Sequence, residues 1–238
     1  MYKAGVFDLD GTLLDTIPDI AANLNRSLAE RGFPTHPVEL CKTFVGDGII
    51  NAIRRALPPE ATEDDLWEVH TLYQRFYPEN CTVDTQYYPG IRDLLAKLQE
   101  KGIAMAILSN KTDGTAKRIA AHYFPDIPFR CVRGRVPEYP LKPDAGAAAP
   151  VLEAMGLAPE EMLYVGDSGT DMTFAKAVGM LPVAAPWGYR SREELVDRGA
   201  AHVLNQPEDL LKILENNICT KKHRRVICGV FAFYRIAP

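Results

Sequence analysis

FDLDGTLLD, Phe7 to Asp15, places three aspartates (Asp8, Asp10 and Asp15) within eight residues, directly after the short apolar run Tyr2 to Phe7. The apolar run reads as a buried strand, and a chain leaving the C-terminal edge of such a strand can turn Asp8 and Asp10 toward one crevice. Parallel sheets bind their ligands at that edge. Gly11 allows a tight turn and a close approach of backbone to an anion, while the Thr12 hydroxyl can hydrogen-bond nearby. Two carboxylates held close repel, so the pattern requires a bound cation or a raised pKa in one of them. For oxygen donors alone, magnesium is the natural ion. A calcium loop fails on spacing: counting from Asp8, Leu13 stands where the EF-hand needs glycine. A lone DxD also ends strands and caps helices, so the rest of the chain has to decide between the readings.

Working outward, Ile17, Ile20, Ala21, Leu24 and Leu28 mark one face of a helix over 16–32, with Gly32 as its stop. Further helices are expected over 37–45, 48–57 and 63–77, the last with a stripe of Leu66, Val69, Leu72, Tyr73 and Phe76. From about residue 88 the texture alternates: helix 90–101, strand 103–108, helix 112–122, strand 128–132, helix 144–155, strand 162–166, helix 170–178, strand 181–185. That alternation predicts a parallel sheet covered by helices. Pro150 predicts a kink or a later start for the helix over 144–155, because proline removes a helical hydrogen bond. The expected architecture is an α/β core of residues 1–15 and 83–215, interrupted by a helical cap of residues 16–82. Residues 216–238 form an extension whose basic run (Lys221, Lys222, Arg224, Arg225) and apolar Val226 to Ile236 leave its role open.

Bulk properties narrow the function classes. The chain has 238 residues, 47% hydrophobic and 24% charged, ordinary for a globular protein with a sizeable core. A net charge of -4 argues against nonspecific nucleic-acid binding, which rewards a positive surface. Five scattered cysteines, Cys41, Cys81, Cys131, Cys219 and Cys228, include no CxxC pair and fit a reducing compartment. With no signal-peptide pattern and no apolar stretch long enough to span a bilayer, a cytoplasmic protein is expected, monomeric or homodimeric.

The other strand ends decide the reading. The run Ile103 to Leu108 terminates in Ser109-Asn110, Lys142-Pro143 opens the segment before another helix, and Leu163 to Val165 runs into GDSGTD, residues 166–171. Brought to one crevice, these supply an anion donor from Ser109, a fixed cation from Lys142 and a further carboxylate from Asp167, a set suited to phosphate beside a metal ion.

The four ordered motifs, DLDGT at 8–12, Ser109-Asn110, Lys142-Pro143 and GDSGTD at 166–171, resemble those of the haloacid dehalogenase superfamily over roughly residues 1–215. The resemblance implies a doubly wound, Rossmannoid α/β core with a helical cap inserted after the first motif. It implies Asp8 as a nucleophile that becomes an aspartyl-phosphate, and Asp10 as the acid/base that protonates the leaving oxygen and later activates water. Mg2+ would sit on the carboxylates of Asp8 and Asp167 and the backbone carbonyl of Asp10, with Ser109, Asn110 and Lys142 on the phosphate. Thr12, Ser168 and Asp171 would support the metal ligands. The family's true dehalogenases lack an acid at the second aspartate, so Asp10 points to phosphoryl chemistry.

Substrate choice falls to the cap. Gly46-Asp47-Gly48 between two helices lets a loop approach a ligand closely with exposed N–H groups, and with Ile50 to Leu57 it resembles the cap segment of phosphoglycolate phosphatases. Asp47 departs from the asparagine often found there, and a carboxylate facing an anionic substrate would repel it. Arg54 and Arg55 can offset that charge, though a solvated helix face is the plainer expectation for both. The reading is a Mg2+-dependent phosphomonoester hydrolase acting on a small phosphorylated metabolite, 2-phosphoglycolate first. The alternatives are a pyrophosphatase or sugar-phosphate phosphatase, a β-phosphoglucomutase-like phosphotransferase, and a non-catalytic phosphate-binding protein.

Overall fold

A period of two along each strand builds the sheet. In the computed structural model, which describes residues 2–215, β1 (Ala4–Phe7) is buried at every position. Phe7 joins one hydrophobic cluster, while Ala4 and Val6 join another on the opposite face. The chain then passes through β2 (Leu14–Asp15) into four helices, α1 (Ile17–Glu30), α2 (Val38–Phe44), α3 (Ile49–Ala56) and α4 (Glu63–Asn80), and returns through β3 (Gln86–Tyr87). β2 and β3 pair antiparallel, so both passages between the helical block and the rest of the chain run side by side.

After this return the chain alternates: α5 (Ile91–Glu100), β4 (Ala104–Thr112), α6 (Asp113–Tyr123), β5 (Phe129–Arg135), α7 (Ala149–Met155), β6 (Met162–Gly166), α8 (Gly169–Val178), β7 (Leu181–Ala184), α9 (Arg192–Asp197) and β8 (His202–Val203). The six-stranded sheet has the order β5-β4-β1-β6-β7-β8, with every pair parallel. Met105, Ile107, Leu163 and Val165 pack with Leu94 and Leu95 of α5 and Ile119 of α6. The intervening Ala106, Leu108, Met162 and Tyr164 pack with Val151 of α7 and Phe174 of α8. Helices cover both faces, as a sheet apolar on two sides requires. β1 lies between β4 and β6, so its C-terminal end opens in the middle of the sheet edge. Among the described residues no helix is long and apolar enough to cross a membrane.

The observed elements differ from the sequence expectation in a few places, each with a local cause. The helix expected over 144–155 opens as a 3-10 turn at Ala145–Ala148 and becomes α-helical only at Ala149, with Pro150 in the first turn. There the missing N–H has no helical partner to lose. β4 continues past Leu108 to Thr112, with its register against β5 shifted between these residues, which keeps the polar Ser109 and Asn110 in the strand at the sheet edge. Asp15, just before α1, accepts a hydrogen bond from the Ile17 N–H at 3.3 Å. Cys219, Cys228 and the basic run lie outside the described residues.

Asp19 in the first turn of α1 has a role that the sequence did not suggest. Its carboxylate, 2% exposed, accepts from the N–H groups of Val83, Asp84 and Thr85 and from the Thr85 hydroxyl, at 2.7 to 3.1 Å. It therefore fastens the start of α1 to the segment returning to the sheet. Asp19→Ala would orphan these donors, and a loss of about 3 kcal/mol in stability is expected from chemical denaturation.

Candidate active site

The pairing of β1 extends one residue past the strand to Asp8, whose N–H donates to the Val165 carbonyl at 2.9 Å. Asp8 Oδ1 then accepts the N–H of Leu9 at 2.7 Å. Gly11 turns the chain at φ +78°, and a Cβ there would lie 2.2 Å from Asp167 Oδ2. Only glycine lets this loop rest against the β6 carboxylate. The Thr12 hydroxyl donates to Asp167 Oδ1 at 3.1 Å, and the Tyr189 N–H donates to Oδ2 at 2.8 Å.

Lys142 is the positive centre of this arrangement. Its side chain is 1% exposed, and its Nζ lies 2.7 Å from Asp171 Oδ1, 3.1 Å from Asp8 Oδ2 and 2.7 Å from the Tyr164 hydroxyl. Asn110 fixes the Lys142 backbone from both sides, accepting its N–H at 2.9 Å and donating to its carbonyl at 3.0 Å. The Asn110 amide is thereby used in positioning Lys142 and not held free for an anion, although the residue lines the cavity. Ser109 is buried and also lines the cavity, its Oγ accepting the Lys111 N–H at 3.3 Å. Asp171 closes a capping box at the start of α8: its Oδ2 takes the Ser168 N–H and hydroxyl, at 3.0 and 2.5 Å. With Oδ1 on Lys142, both its oxygens are engaged.

Asp8, Asp167 and Asp171 each bring a carboxylate oxygen within 4.8 Å of the others. Burial, opposed by Lys142 and reinforced by Asp171 and Asp10, pushes the Asp8 carboxyl up to about 7. Burial, with Asp171 and Asp8, pushes Asp167 well above the usual carboxylate range. Burial works against the charge of Lys142, but Asp171 and Asp8 outweigh it and raise its pKa. An all-oxygen donor set in which burial and mutual repulsion drive Asp8 and Asp167 toward neutrality fits a hard divalent cation, which relieves both. The Asp10 side chain turns elsewhere: Oδ1 accepts the Thr16 hydroxyl at 2.6 Å and pairs with Lys111 Nζ at 3.1 Å.

Above these groups opens a cavity lined by Asp8, Asp10 and Asp167 and closed over by Gly46, Gly48 and Tyr77 of the helical block. Both glycines have positive φ, +130° and +95°. Asp47 does not line the cavity. Arg55 holds its carboxylate in a two-pronged pair at 2.7 and 2.5 Å while also donating to the Phe44 carbonyl. Arg55 is therefore no merely solvated residue, whereas Arg54 pairs with Glu63 on the surface.

Sequence reasoning passed over Thr16, Lys111, Tyr164 and the segment Trp187 to Arg190. The Trp187 indole donates to the Thr12 carbonyl, and the Tyr189 hydroxyl accepts the Thr16 N–H at 3.1 Å. Arg190 reaches the helical block, donating to the carbonyls of Lys42 and Val45 at 2.9 and 2.6 Å. One signal was available: this segment follows β7 at the same sheet edge as the other site residues.

Residues 6–185 match the family of haloacid dehalogenase-like hydrolases, and the chain belongs to that family. Phosphoglycolate phosphatase 1 of Pseudomonas aeruginosa is 32% identical over 211 residues, 87% of this chain and 77% of the relative. The phosphoglycolate phosphatase of Chromobacterium violaceum is also 32% identical, over 90% of this chain and 97% of its own. A crystal structure of a predicted phosphoglycolate phosphatase from Haemophilus somnus superposes with a TM-score of 0.81 at 27% identity, covering 90% of this chain and 98% of that one.

The raised carboxyls carry a stability signature. A carboxyl whose folded pKa lies above its unfolded value favours the fold most below the unfolded pKa and costs stability as pH rises through the folded one. For Asp8 the window runs from 3.8 to about 7. His70, lowered by burial and by Arg135, works in the opposite sense, so the comparison is made against Asp8→Asn. Between about pH 5 and pH 8 the metal-free protein should lose stability relative to Asp8→Asn, in urea denaturation, and a divalent cation should reverse that loss.

Proposed function

We propose that the chain is a Mg2+-dependent phosphomonoester hydrolase whose nucleophile is Asp8 and whose substrate is 2-phosphoglycolate. The observation that carries the reading is the Asp8 carboxylate facing the cavity with the buried Lys142 ammonium 3.1 Å from it and a second carboxylate, Asp10, in the same wall. Residues 16–82 act as a cap over a core of residues 1–15 and 83–215.

Attack of one anion on another is costly, and Lys142 with the Ser109 hydroxyl offsets the charge on the transferring phosphoryl oxygens. Mg2+, held by Asp8, Asp167 and the backbone carbonyl of Asp10, supplies further positive charge when bound. An Asp8 carboxylate oxygen forms the bond to phosphorus as the bond to the leaving oxygen breaks, and protonated Asp10 delivers its proton to that oxygen. Asp10, now a carboxylate, takes a proton from the water that attacks phosphorus and releases phosphate from Asp8. Such acid/base work contributes roughly 100- to 10,000-fold. Thr16 and Lys111 hold the Asp10 carboxyl in place, while Asp171, Ser168 and Thr12 position the charged groups around Asp8.

The substrate assignment draws on the phosphoglycolate phosphatases at 32% identity and on Asp47, whose charge is matched by Arg55 and not turned on an anionic ligand. We place the enzyme in the cytoplasm, where the free Cys41, Cys81 and Cys131 stay reduced.

Asp8→Asn should abolish turnover while circular dichroism and the melting profile remain those of a folded protein; substantial residual hydrolysis would overturn the nucleophile assignment. Complete metal removal by EDTA should stop the reaction, and added Mg2+ should restore it. Ranked by kcat/KM, 2-phosphoglycolate should lead pyrophosphate and hexose phosphates, and a flat ranking would reject the named substrate.

A further inference from the structure

Cations other than Lys142 line the cavity. Lys111, Arg135 and Arg190 all line it, whereas the acids that line it are confined to Asp8, Asp10 and Asp167. Arg190 is engaged with the main-chain carbonyls of Lys42 and Val45. Lys111 and Arg135 remain to be explained.

Lys111 is nearly inaccessible, its side chain 6% exposed, with Nζ 3.1 Å from Asp10 Oδ1 and 2.7 Å from the Tyr77 hydroxyl. This puts its ammonium beside the proposed proton donor, on the side where the leaving oxygen departs. Arg135 closes β5 and pairs in register with Thr112, the residue after Lys111 on β4. The two cations therefore stand on adjacent strands at one sheet edge. Arg133, two residues back, is spoken for by Asp113 at 3.9 Å, but among the described residues no carboxylate pairs with Arg135, which is exposed to the cavity. Gln74 and Tyr77 of α4, both neutral, close this side.

We infer that Lys111 and Arg135 form a recognition site for a carboxylate on the leaving alcohol, and so select acidic phosphomonoesters over neutral ones. In 2-phosphoglycolate the carboxylate is separated from the ester oxygen by a single methylene. An ammonium that already touches Asp10 reaches the carboxylate of a substrate whose ester oxygen Asp10 protonates. Arg135 then covers the outer edge of the carboxylate, where a guanidinium can donate two parallel hydrogen bonds. With Asp10 protonated, a neutral leaving group would leave the buried Lys111 charge without an anionic partner, and polar groups left unmatched are the stronger source of discrimination.

This rests on the phosphatase reading above, and the test separates the two. Hydrolysis of 2-phosphoglycolate is compared with that of 2-hydroxyethyl phosphate, nearly the same size but with an uncharged alcohol in place of the carboxylate. Arg135→Gln should lower kcat/KM about 10- to 100-fold for the acidic ester and less than about 3-fold for the neutral one, with Arg135→Lys recovering part of the loss. Lys111→Met should penalise the acidic ester more than the neutral one, over and above any common loss from disturbing Asp10. Equal losses on both esters, or no loss on either, would overturn the recognition site while the phosphatase reading stands. An unmodified protein that hydrolyses neither ester would instead overturn the function on which it rests.

Discussion

A single buried ammonium keeps the acidic edge of this sheet from pushing itself apart. Lys142 touches Asp8, Asp171 and the Tyr164 hydroxyl at once, and each contact secures a different part of the fold. Asp171 belongs to the N-terminal box of α8, Asp8 directly follows β1, and Tyr164 bonds onward to the Leu108 carbonyl of β4. Buried charges are costly to desolvate and stay only where their partners are complete. Completeness here comes from the backbone clamp of Asn110 on Lys142 and from the full hydrogen-bonding of Asp171. The remaining imbalance falls on Asp8 and Asp167, the groups best placed to take a cation.

The fold was legible where the pattern is long and repetitive. Strands such as Ile103 to Leu108 and helices such as that beginning at Ile17 declare themselves by period, and a helical run between the first strand and the rest announces an insertion. β2, β3 and β8 have two residues each, too few for any period to register. At the site, residues carried by punctuated motifs at strand ends stood out, because glycine, aspartate and lysine together are unusual after an apolar run. Lys111, Thr16 and Tyr189 did not, since each occupies an ordinary local context and acquires its meaning from a distant partner: Thr16 and Tyr189 are separated by 173 positions. Asp47 shows the converse. Its chemistry was conspicuous in sequence, but the direction of its carboxylate depended on whether Arg54 or Arg55 met it, and the sequence favoured a solvated face for both.

The ribbon of β2 and β3 adds a constraint on motion. The two connections to the helical block are hydrogen-bonded to one another, so both passages of the chain run along one line. Asp19 secures the same junction from within the block, bonding the returning chain at Val83, Asp84 and Thr85. A rotation about that line would carry the loop at Gly46 to Gly48 toward or away from Asp8.

Arg190 grips that loop from across the cavity, and it does so through the carbonyl oxygens of Lys42 and Val45. Every amino acid presents the same carbonyl. The contact is therefore indifferent to which side chains stand there, so the ceiling of the cavity can be rewritten by mutation without loosening its fastening. Catalytic geometry and substrate range are, in this fold, free to evolve at different speeds.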